Sequence, residues 1–316
     1  MNNKIAFVLI LALVLILSIP VGAQTEFIVD SELLLEYDLL DEQPEEIVRR
    51  NWPRFVLVGF NNQLNLLISF GLMMGLILLS AHFWVYRGIG RQEDIIRRVK
   101  TNRKVVAFTF DDGPSPIYTQ QILDILAHYK IRATFFMVGK HVDAYPEVAA
   151  RVLAEGHEIG NHTYNHINVP TTPMARLAAQ IIKTNFAIYS VTAQFPAYAR
   201  PPRGMYDGRF RRLARLLGMP VVLWSLSAQD WMERNPPARI VRRILGKIRP
   251  GDILLFHDSG ALLRAEGARR EGTVQALPLI IEGLLDQGYA IVPLRELLAL
   301  EREEELAGTL LKVAEG

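Results

Sequence analysis

The sequence predicts an α/β domain built on parallel strands and preceded by one or two membrane helices. From Lys104 onward, seven short apolar runs alternate with six amphipathic stretches, and such alternation is typical of a parallel sheet or barrel. Before that point, two long apolar segments occupy much of the first 86 residues. With 316 residues, half of them apolar, the chain can bury a full-sized core and still include membrane segments.

Each predicted element has a local signature. The apolar runs have the length of buried strands, and several amphipathic stretches begin with Pro or end with Gly, as helices do. The predicted strands are 105–110, 133–138, 157–159, 195–199, 221–224, 253–256 and 290–292. The predicted helices are 119–129, 146–155, 173–189, 209–217, 236–248 and 277–287.

Residues 1–23 are predicted to be a signal peptide or a signal anchor. An apolar run interrupted only by Ser18 covers 5–19 and is followed by small residues suited to cleavage. Residues 24–54 are predicted to be an acidic linker, because the stretch 24–48 carries nine acidic side chains and no basic one.

Residues 55–86 are predicted to be a transmembrane segment. The part from 66 to 86 has no Asp, Glu, Lys or Arg and is long enough to cross a bilayer as a helix. The spacing of Gly71 and Gly75 suits packing against another helix. Two alternatives are a buried helix of a soluble domain and a hairpin, the latter because polar residues at 61–63 interrupt the apolar run.

Residues 87–103 are predicted to be a basic juxtamembrane linker. Seven Lys and Arg residues lie between Arg87 and Lys104, whereas the linker before the apolar segment is acidic. The positive-inside rule therefore places the following domain in the cytoplasm.

Composition excludes several classes of function. The net charge is only +2, so the overall charge gives no indication of nucleic-acid binding. The chain has no cysteine, which excludes disulfides, thiolate chemistry and zinc sites built on thiolates. A metal ion in this chain must therefore be held by histidine and carboxylate side chains.

Five short motifs occur in a fixed order, several of them directly after predicted strands. Positions that follow the strands of a parallel barrel converge on one face, so the sequence predicts one shared site. The motifs are Thr109-Phe110-Asp111-Asp112-Gly113-Pro114, His162-Thr163-Tyr164-Asn165-His166, Arg200-Pro201-Pro202-Arg203-Gly204, Asp230-Trp231 and Leu255-Phe256-His257.

The residue types in these motifs suit metal-dependent hydrolysis. Asp111 and Asp112 repel each other unless a cation or a proton balances them, and His162 and His166 have a common ligand spacing. Two histidines and one carboxylate can hold a divalent cation. The second carboxylate can then act as a base, and a separate histidine, His257, can act as an acid.

Each motif also has a simpler interpretation. The Asp-Asp-Gly-Pro run is a good turn signal, and a lone histidine pair is often solvent-facing. Arg200 suits a surface position, Asp230-Trp231 suits a loop, and His257 suits a hydrogen-bonded position at a strand end. Five such coincidences in this order are improbable, so we favour a single site.

Together the five motifs resemble those of the polysaccharide deacetylases, also called the NodB-homology or carbohydrate esterase family 4 group. The resemblance covers roughly residues 104–300, which we interpret as the catalytic domain, with a charged C-terminal tail at 301–316. It implies a distorted (β/α)7-type barrel and hydrolysis of the N-acetyl group of N-acetylglucosamine polymers.

The resemblance also implies a role for each motif residue. Asp111 resembles the general base and His257 the general acid. The resemblance also implies that Asp112, His162 and His166 bind the metal. Arg200 would orient Asp111, and Asp230 would set the protonation of His257. Trp231 and Leu255 would line the pocket for the acetyl group. The backbone N–H of Arg203 would stabilise the oxyanion. We expect a divalent cation, zinc first, with cobalt, nickel and manganese also compatible with these ligands.

Two positions depart from the family pattern. The residue after Pro202 is commonly Tyr in the family and is Arg203 here, which leaves the backbone N–H in place but bears on substrate preference. An Asp three residues before Asp230 is also usual, and Ser227 occupies that position. We expect this second change to alter loop bracing more than chemistry.

We therefore expect a membrane-anchored, metal-dependent deacetylase of N-acetylhexosamine units in a cell-wall or extracellular polysaccharide, with an extracellular catalytic domain. The expected partners are an acetylated polysaccharide or oligosaccharide and a membrane, without nucleic acid; the sequence does not define the oligomeric state. One alternative follows the positive-inside rule: a deacylase of sugars on polyprenyl phosphate at the cytoplasmic membrane face. Another is a non-catalytic carbohydrate-binding relative, against which the intact acid, base and ligand set count.

Overall fold

The computed structural model describes residues 67–78, 80, 95–232, 235–260 and 269–315. The chain divides into two compact units, Met1–Leu78 and Leu79–Gly316, and the second unit holds all five motifs. The predicted leader at 1–23, the acidic linker at 24–54 and the predicted basic linker up to residue 94 lie outside the described residues.

Part of the predicted transmembrane segment is helical. Residues 67–78 form a helix with mostly exposed side chains. Within the described ranges, no helix combines the length and the apolar composition needed to cross a bilayer. The predicted membrane helices therefore gain no support from these residues, and most of the remainder of 55–86 lies outside them.

The second unit alternates strands and helices, as the sequence predicts. The strands are β1 (Ile95–Ile96), β2 (Val105–Asp111), β3 (Thr134–Met137), β4 (Glu158–Asn161), β5 (Tyr198–Ala199), β6 (Val221–Val222), β7 (Leu226–Ser227), β8 (Ile253–His257) and β9 (Ala290–Ile291). The helices are α1 (Tyr118–His128), α2 (Gly139–Ala144), α3 (Pro146–Ala154), α4 (Met174–Thr192), α5 (Gly208–Leu216), α6 (Pro237–Leu245), α7 (Glu271–Asp286) and α8 (Leu294–Glu315). Two short 3-10 turns cover Val169–Thr171 and Pro202–Gly204.

The strands form one sheet in which every strand pair is parallel. Neighbours follow the order β1, β6, β5, β4, β3, β2, β8, β7, and β9 pairs with the start of β2. Among the described strands no pairing joins β1 to β7. The predicted distorted (β/α)7-type barrel is therefore observed as an open, curled parallel sheet with helices around it.

The central strands are buried because helices pack on one face of the sheet and α8 packs on the other. Phe110 of β2 stacks on Phe135 and Phe256, with ring centroids 5.0 and 5.5 Å apart, in the larger core cluster. On the other face, Leu294 and Leu297 of α8 belong to a buried cluster with residues of five strands. Burial on both faces explains why these strands are nearly continuous apolar runs.

Most predicted elements are confirmed to within a few residues, and the differences have local causes. Strands β1 and β7 are not predicted from the sequence, because they are two residues long and too short to show a pattern. The short helix α2 is not predicted either. The helix predicted at 277–287 begins six residues earlier, at Glu271. Pro278 therefore lies inside this helix and not near its start. The predicted tail at 301–316 continues α8 as far as Glu315.

Several basic residues of the stretch 97–104 make contacts within the second unit. An ion pair of 2.5 Å joins Arg98 to Asp252, and Lys104 Nζ donates to the Gln287 carbonyl at 2.9 Å. Because β1 pairs with β6, the sheet also includes residues that lie in the predicted basic linker. Some of these basic side chains therefore make contacts within the folded second unit.

Candidate active site

The carboxyl edge of the sheet gathers the five motifs. Register places Asp111 of β2 opposite His257 of β8. Strand β4 ends one residue before His162, and β5 ends one residue before Arg200. Because all these strands are parallel, their carboxyl ends lie together, and residues far apart in sequence share one site.

Arg200 is fully buried and holds the first aspartate of the site. Its Nη1 atom lies 2.6 Å from Asp111 Oδ1 and 2.8 Å from Thr109 Oγ1. The Nε and Nη2 atoms donate to the carbonyls of Val222 and Leu223, both at 2.9 Å. The guanidinium therefore has one fixed orientation, and it contacts Asp111 through one nitrogen and not bidentately.

Asp112 and the two motif histidines form a compact ligand group. One ligand atom from each of Asp112, His162 and His166 lies within 4.8 Å of the others. Asp112 Oδ1 is 3.2 Å from His166 Nε2 and 3.5 Å from His162 Nε2. Three donors at these separations can surround one small cation and leave positions for water and substrate.

The tautomer of His162 suits metal binding. Its Nδ1 atom lies 2.8 Å from the carbonyl oxygen of Arg200. Since a carbonyl can only accept, we assign the ring proton to Nδ1, which leaves the lone pair of Nε2 directed at Asp112. Arg200 thus contacts His162 through its backbone carbonyl and Asp111 through its side chain.

The ligand group fits a divalent cation. Asp112 Oδ1 is buried and has no hydrogen-bond partner in the described structure, which is costly for a carboxylate unless a cation compensates it. Burial opposes ionisation of Asp112, but the neighbouring histidines, including the cationic His257, outweigh it and hold the pKa of this carboxyl far below its usual range. Burial also lowers the pKa of His166 to about 4, so this ring is neutral and able to ligate.

An unusual backbone conformation orients the side chains of this ligand group. Asp112, Thr163 and His166 all have positive φ, at 79°, 63° and 48°. Such conformations are unfavourable for residues with a side chain and are concentrated at functional sites. His162 and His166 lie in a loop after β4 and not in a helix, as Gly160 and Pro170 suggest.

His257 and Asp230 form a second hydrogen-bonded pair in the site. The His257 Nδ1 atom lies 2.9 Å from Asp230 Oδ1, and the His257 backbone N–H donates to Asp230 Oδ2 at 2.8 Å. Burial lowers the pKa of His257, but the charge of Asp230 and its hydrogen bond outweigh burial and raise that pKa to about 9. The pKa of Asp230 is lowered, because the charge of His257 overcomes the effect of burial.

Several supporting residues are not identified by sequence reasoning. His141 Nδ1 lies 2.7 Å from the Asp112 carbonyl, Thr273 Oγ1 donates to Asp230 Oδ2 at 2.9 Å, and Asn161 Oδ1 accepts from the Thr163 N–H at 2.8 Å. Only Asn161 and Thr109, each adjacent to or inside a motif, have a signal in the sequence. His141 and Thr273 lie outside the motifs.

The remaining predicted residues lie around this cluster. Arg203 is exposed and has φ of 59° in the turn after the two prolines. Trp231, next to Asp230, is 55% exposed, whereas Leu255 is buried on β8. Leu255 and His257 are two residues apart on one strand, so their side chains point to the same face.

Ser227 accepts from the Gln229 N–H at 3.2 Å and so braces the loop before Asp230.

Comparisons with known proteins agree on one family. A family model described as polysaccharide deacetylase matches residues 98–222. A peptidoglycan-N-acetylglucosamine deacetylase of Bacillus cereus is 39% identical over 203 residues, which cover 63% of this chain and 91% of the relative. A chitooligosaccharide deacetylase of Sinorhizobium fredii is 33% identical over 208 residues, covering 64% and 96%. A solved peptidoglycan N-acetylglucosamine deacetylase, in complex with 4-naphthalen-1-yl-N-oxidanyl-benzamide, has a TM-score of 0.61 at 32% identity, covering 65% and 92%.

Proposed function

The chain belongs to the polysaccharide deacetylase family, and from this premise we propose that it hydrolyses the N-acetyl group of N-acetylhexosamine units in a cell-wall or extracellular polysaccharide. The observation that carries the proposal is one buried cluster at one edge of the sheet. It contains a carboxylate held by Arg200, a histidine paired with Asp230, and three side chains placed so that they could hold a metal ion. The products are acetate and a glycan with a free amine.

Asp112, His162 and His166 would hold the divalent cation, for which we propose zinc. When bound, the cation supplies Lewis acidity that polarises the amide carbonyl and lowers the pKa of a water molecule. Arg200 and the backbone conformation of the loops orient these three side chains, so that their ligand atoms face one another.

Asp111 acts as the general base. Arg200 anchors its Oδ1 atom at 2.6 Å, while its Oδ2 atom faces the ligand group, 3.7 Å from His162 Nε2. A carboxylate in this position accepts a proton from the attacking water beside the ligands. The buried guanidinium keeps the carboxylate from rotating away.

His257 acts as the general acid. A pKa of about 9 keeps its imidazole protonated at neutral pH, and an amine leaving group requires a proton. Asp230 binds Nδ1, so the Nε2 proton is the one available to the leaving nitrogen. The two acid–base groups thus belong to neighbouring strands, β2 and β8.

The oxyanion and the acetyl group need further contacts. The backbone N–H of Arg203 stabilises the developing oxyanion, and Trp231 and Leu255 line the space for the acetyl methyl group. Because only the backbone of Arg203 takes part in this step, the change from the usual Tyr is compatible with catalysis.

We further propose that the catalytic domain acts on the outer side of the membrane. Relatives of this chain are named for peptidoglycan and chitooligosaccharide, and described cations of the basic stretch have partners within the unit. The cytoplasmic deacylase of polyprenyl-phosphate sugars remains the alternative, because of the positive-inside rule. A phosphatase fused after Gly316 should be active and a fluorescent cytoplasmic reporter dark; the reverse pattern would favour the cytoplasmic enzyme.

The test of the enzymatic proposal is turnover of an acetylated glycan. The full chain with zinc should release acetate and free amine from N-acetylglucosamine oligomers or peptidoglycan, and a chelator should abolish the release. The Asp111→Asn variant is the matched control. Absence of release from both glycans by protein that retains zinc would support a non-catalytic carbohydrate-binding role instead.

A further inference from the structure

Asp258 lies beside the loop that carries Asp111 and Asp112, and it has no role in the chemistry described above. It follows His257 at the end of β8 and is 1% exposed. Its backbone N–H donates to the carbonyl of Asp111 at 3.1 Å. The pairing of β2 with β8 therefore extends one residue beyond β8, against the start of the motif loop, defined here as residues 111–115.

The side chain of Asp258 links this loop to helix α1. Its Oδ2 atom accepts a hydrogen bond of 2.6 Å from Thr119 Oγ1. The same hydroxyl accepts from the Ser115 N–H at 2.7 Å. Thr119 thus bridges the end of the motif loop and the Asp258 carboxyl with its single hydroxyl, which both donates and accepts.

The middle of the motif loop lies against the Asp258 carboxyl. A Cβ atom at Gly113 would overlap the carboxyl group, so the loop passes this point only because residue 113 is glycine. Asp258 therefore contacts the motif loop at Asp111 and Gly113 and, through Thr119, at Ser115. The first of these residues is the base, and the second follows the metal ligand Asp112.

Stability alone does not explain a carboxyl group at this position. Asp258 Oδ1 is buried and has no hydrogen-bond partner among the described residues. Burying a half-satisfied carboxyl group is unfavourable compared with an apolar side chain of similar size. The unfavourable burial of this carboxyl group is explained if the site requires the loop conformation that its contacts maintain.

We propose that Asp258, together with Thr119, is a positioning residue that fixes the motif loop so that Asp111 and Asp112 keep their divergent orientations. This inference rests on the proposed function of the same site. Asp258 acts through the loop and does not touch the reacting atoms. Its removal should therefore affect metal affinity and kcat together, with a smaller effect on KM.

The experiment compares Asp258→Ala and Asp258→Asn in the full chain. We expect Asp258→Ala to lower kcat by roughly 10- to 100-fold, because small displacements of catalytic groups have effects of this size. Its zinc affinity, measured by competition with a chromophoric chelator, should fall on the order of 10-fold. Asp258→Asn should remain close to wild type, since its amide oxygen can still accept from Thr119.

Asp252→Ala is the matched control. Asp252 lies one residue before the other end of β8, is fully buried, and binds Ser225 Oγ at 2.6 Å and the Arg249 N–H at 2.8 Å. Its loss should lower the melting temperature while the folded enzyme keeps normal kcat and zinc affinity. Thr119→Val should reproduce the defect of Asp258→Ala, and Thr119→Ser should restore function.

Two results would overturn the proposal. One is an Asp258→Ala variant that, like Asp252→Ala, loses only thermal stability. The other is an Asp258→Asn variant as impaired as Asp258→Ala, which would assign the effect to charge and not to position. If the wild type lacked deacetylase activity, the proposed function would fail, whereas the zinc affinities of the two Ala variants would still test the role of Asp258.

Discussion

Asp111 and Asp112 are adjacent in sequence, yet their carboxylates face different partners. Asp111 Oδ1 lies 2.6 Å from Arg200 Nη1, and Asp112 Oδ1 lies 3.2 Å from His166 Nε2. The divergence arises because Asp111 ends a strand and Asp112 has φ of 79°. The two negative charges are thereby separated, and one residue can act as base while the other binds a cation.

Loss of any metal ligand should remove both metal and activity. We expect Ala at Asp112, His162 or His166 to reduce bound zinc strongly, because each supplies about a third of the protein's coordination. Metal content by mass spectrometry, with turnover measured in parallel, checks this. Stoichiometric zinc in a His162→Ala, His166→Ala double variant would refute the ligand assignment.

Asp111→Asn should separate catalysis from metal binding. The amide has nearly the shape of the carboxylate but cannot accept a proton as a base, so activity should fall on the order of 100- to 10000-fold. Metal content should stay near normal, because Asp112 is unchanged. Near-wild-type turnover at saturating zinc would show that another group activates the water.

The alkaline limit of activity should depend on Asp230. The acid must be protonated, so kcat/KM falls as pH rises through the pKa of His257, which Asp230 raises to about 9. Asp230→Asn removes that charge, and the alkaline limb should therefore move to lower pH. Thr273→Val is the control, because it removes one hydrogen bond to Asp230 but leaves the charge. An unchanged alkaline limb in Asp230→Asn would exclude His257 as the titrating acid.

His257→Ala should discriminate between leaving groups. An amine is a poor leaving group without a proton, whereas nitrophenolate leaves without one. We therefore expect a much larger loss on an acetylated glucosamine oligomer than on nitrophenyl acetate. Equal losses on both substrates would indicate that His257 serves structure or oxyanion binding.

Arg203→Tyr should change substrate preference and leave the chemical step in place. Arg203 is exposed at the site and contributes to the lowered pKa of His166 through its charge. Removing this cation should raise KM for glycans that carry carboxylates more than KM for neutral N-acetylglucosamine oligomers. The exposed Arg212 on α5 provides a control: Arg212→Gln should leave both KM values unchanged. A fall in kcat on both glycans would instead implicate the Arg203 side chain in catalysis.

Strand and helix order, and the edge at which the motifs meet, could be predicted from the sequence. Both follow from local information: the period of apolar residues identifies each element, and parallel strands place every following residue at the same edge. The pairing of Arg200 with Asp111 follows from the family resemblance and is observed at 2.6 Å. The extent to which the predicted distorted barrel closes was decided by the tertiary structure, an open, curled sheet, because strand spacing along the chain does not determine whether the first and last strands meet.

The supporting contacts were decided only by the tertiary structure. Asp112 and His141 are 29 residues apart, Asp230 and Thr273 are 43 apart, and Thr119 and Asp258 are 139 apart. Each partner is an isolated polar residue without a pattern of its own, so no local signal identifies it. The raised pKa of His257 likewise depends on its 2.9 Å contact with Asp230, which outweighs the opposing effect of burial. The sequence determined which groups the site contains, and packing between distant elements determined their distances, orientations and charge states.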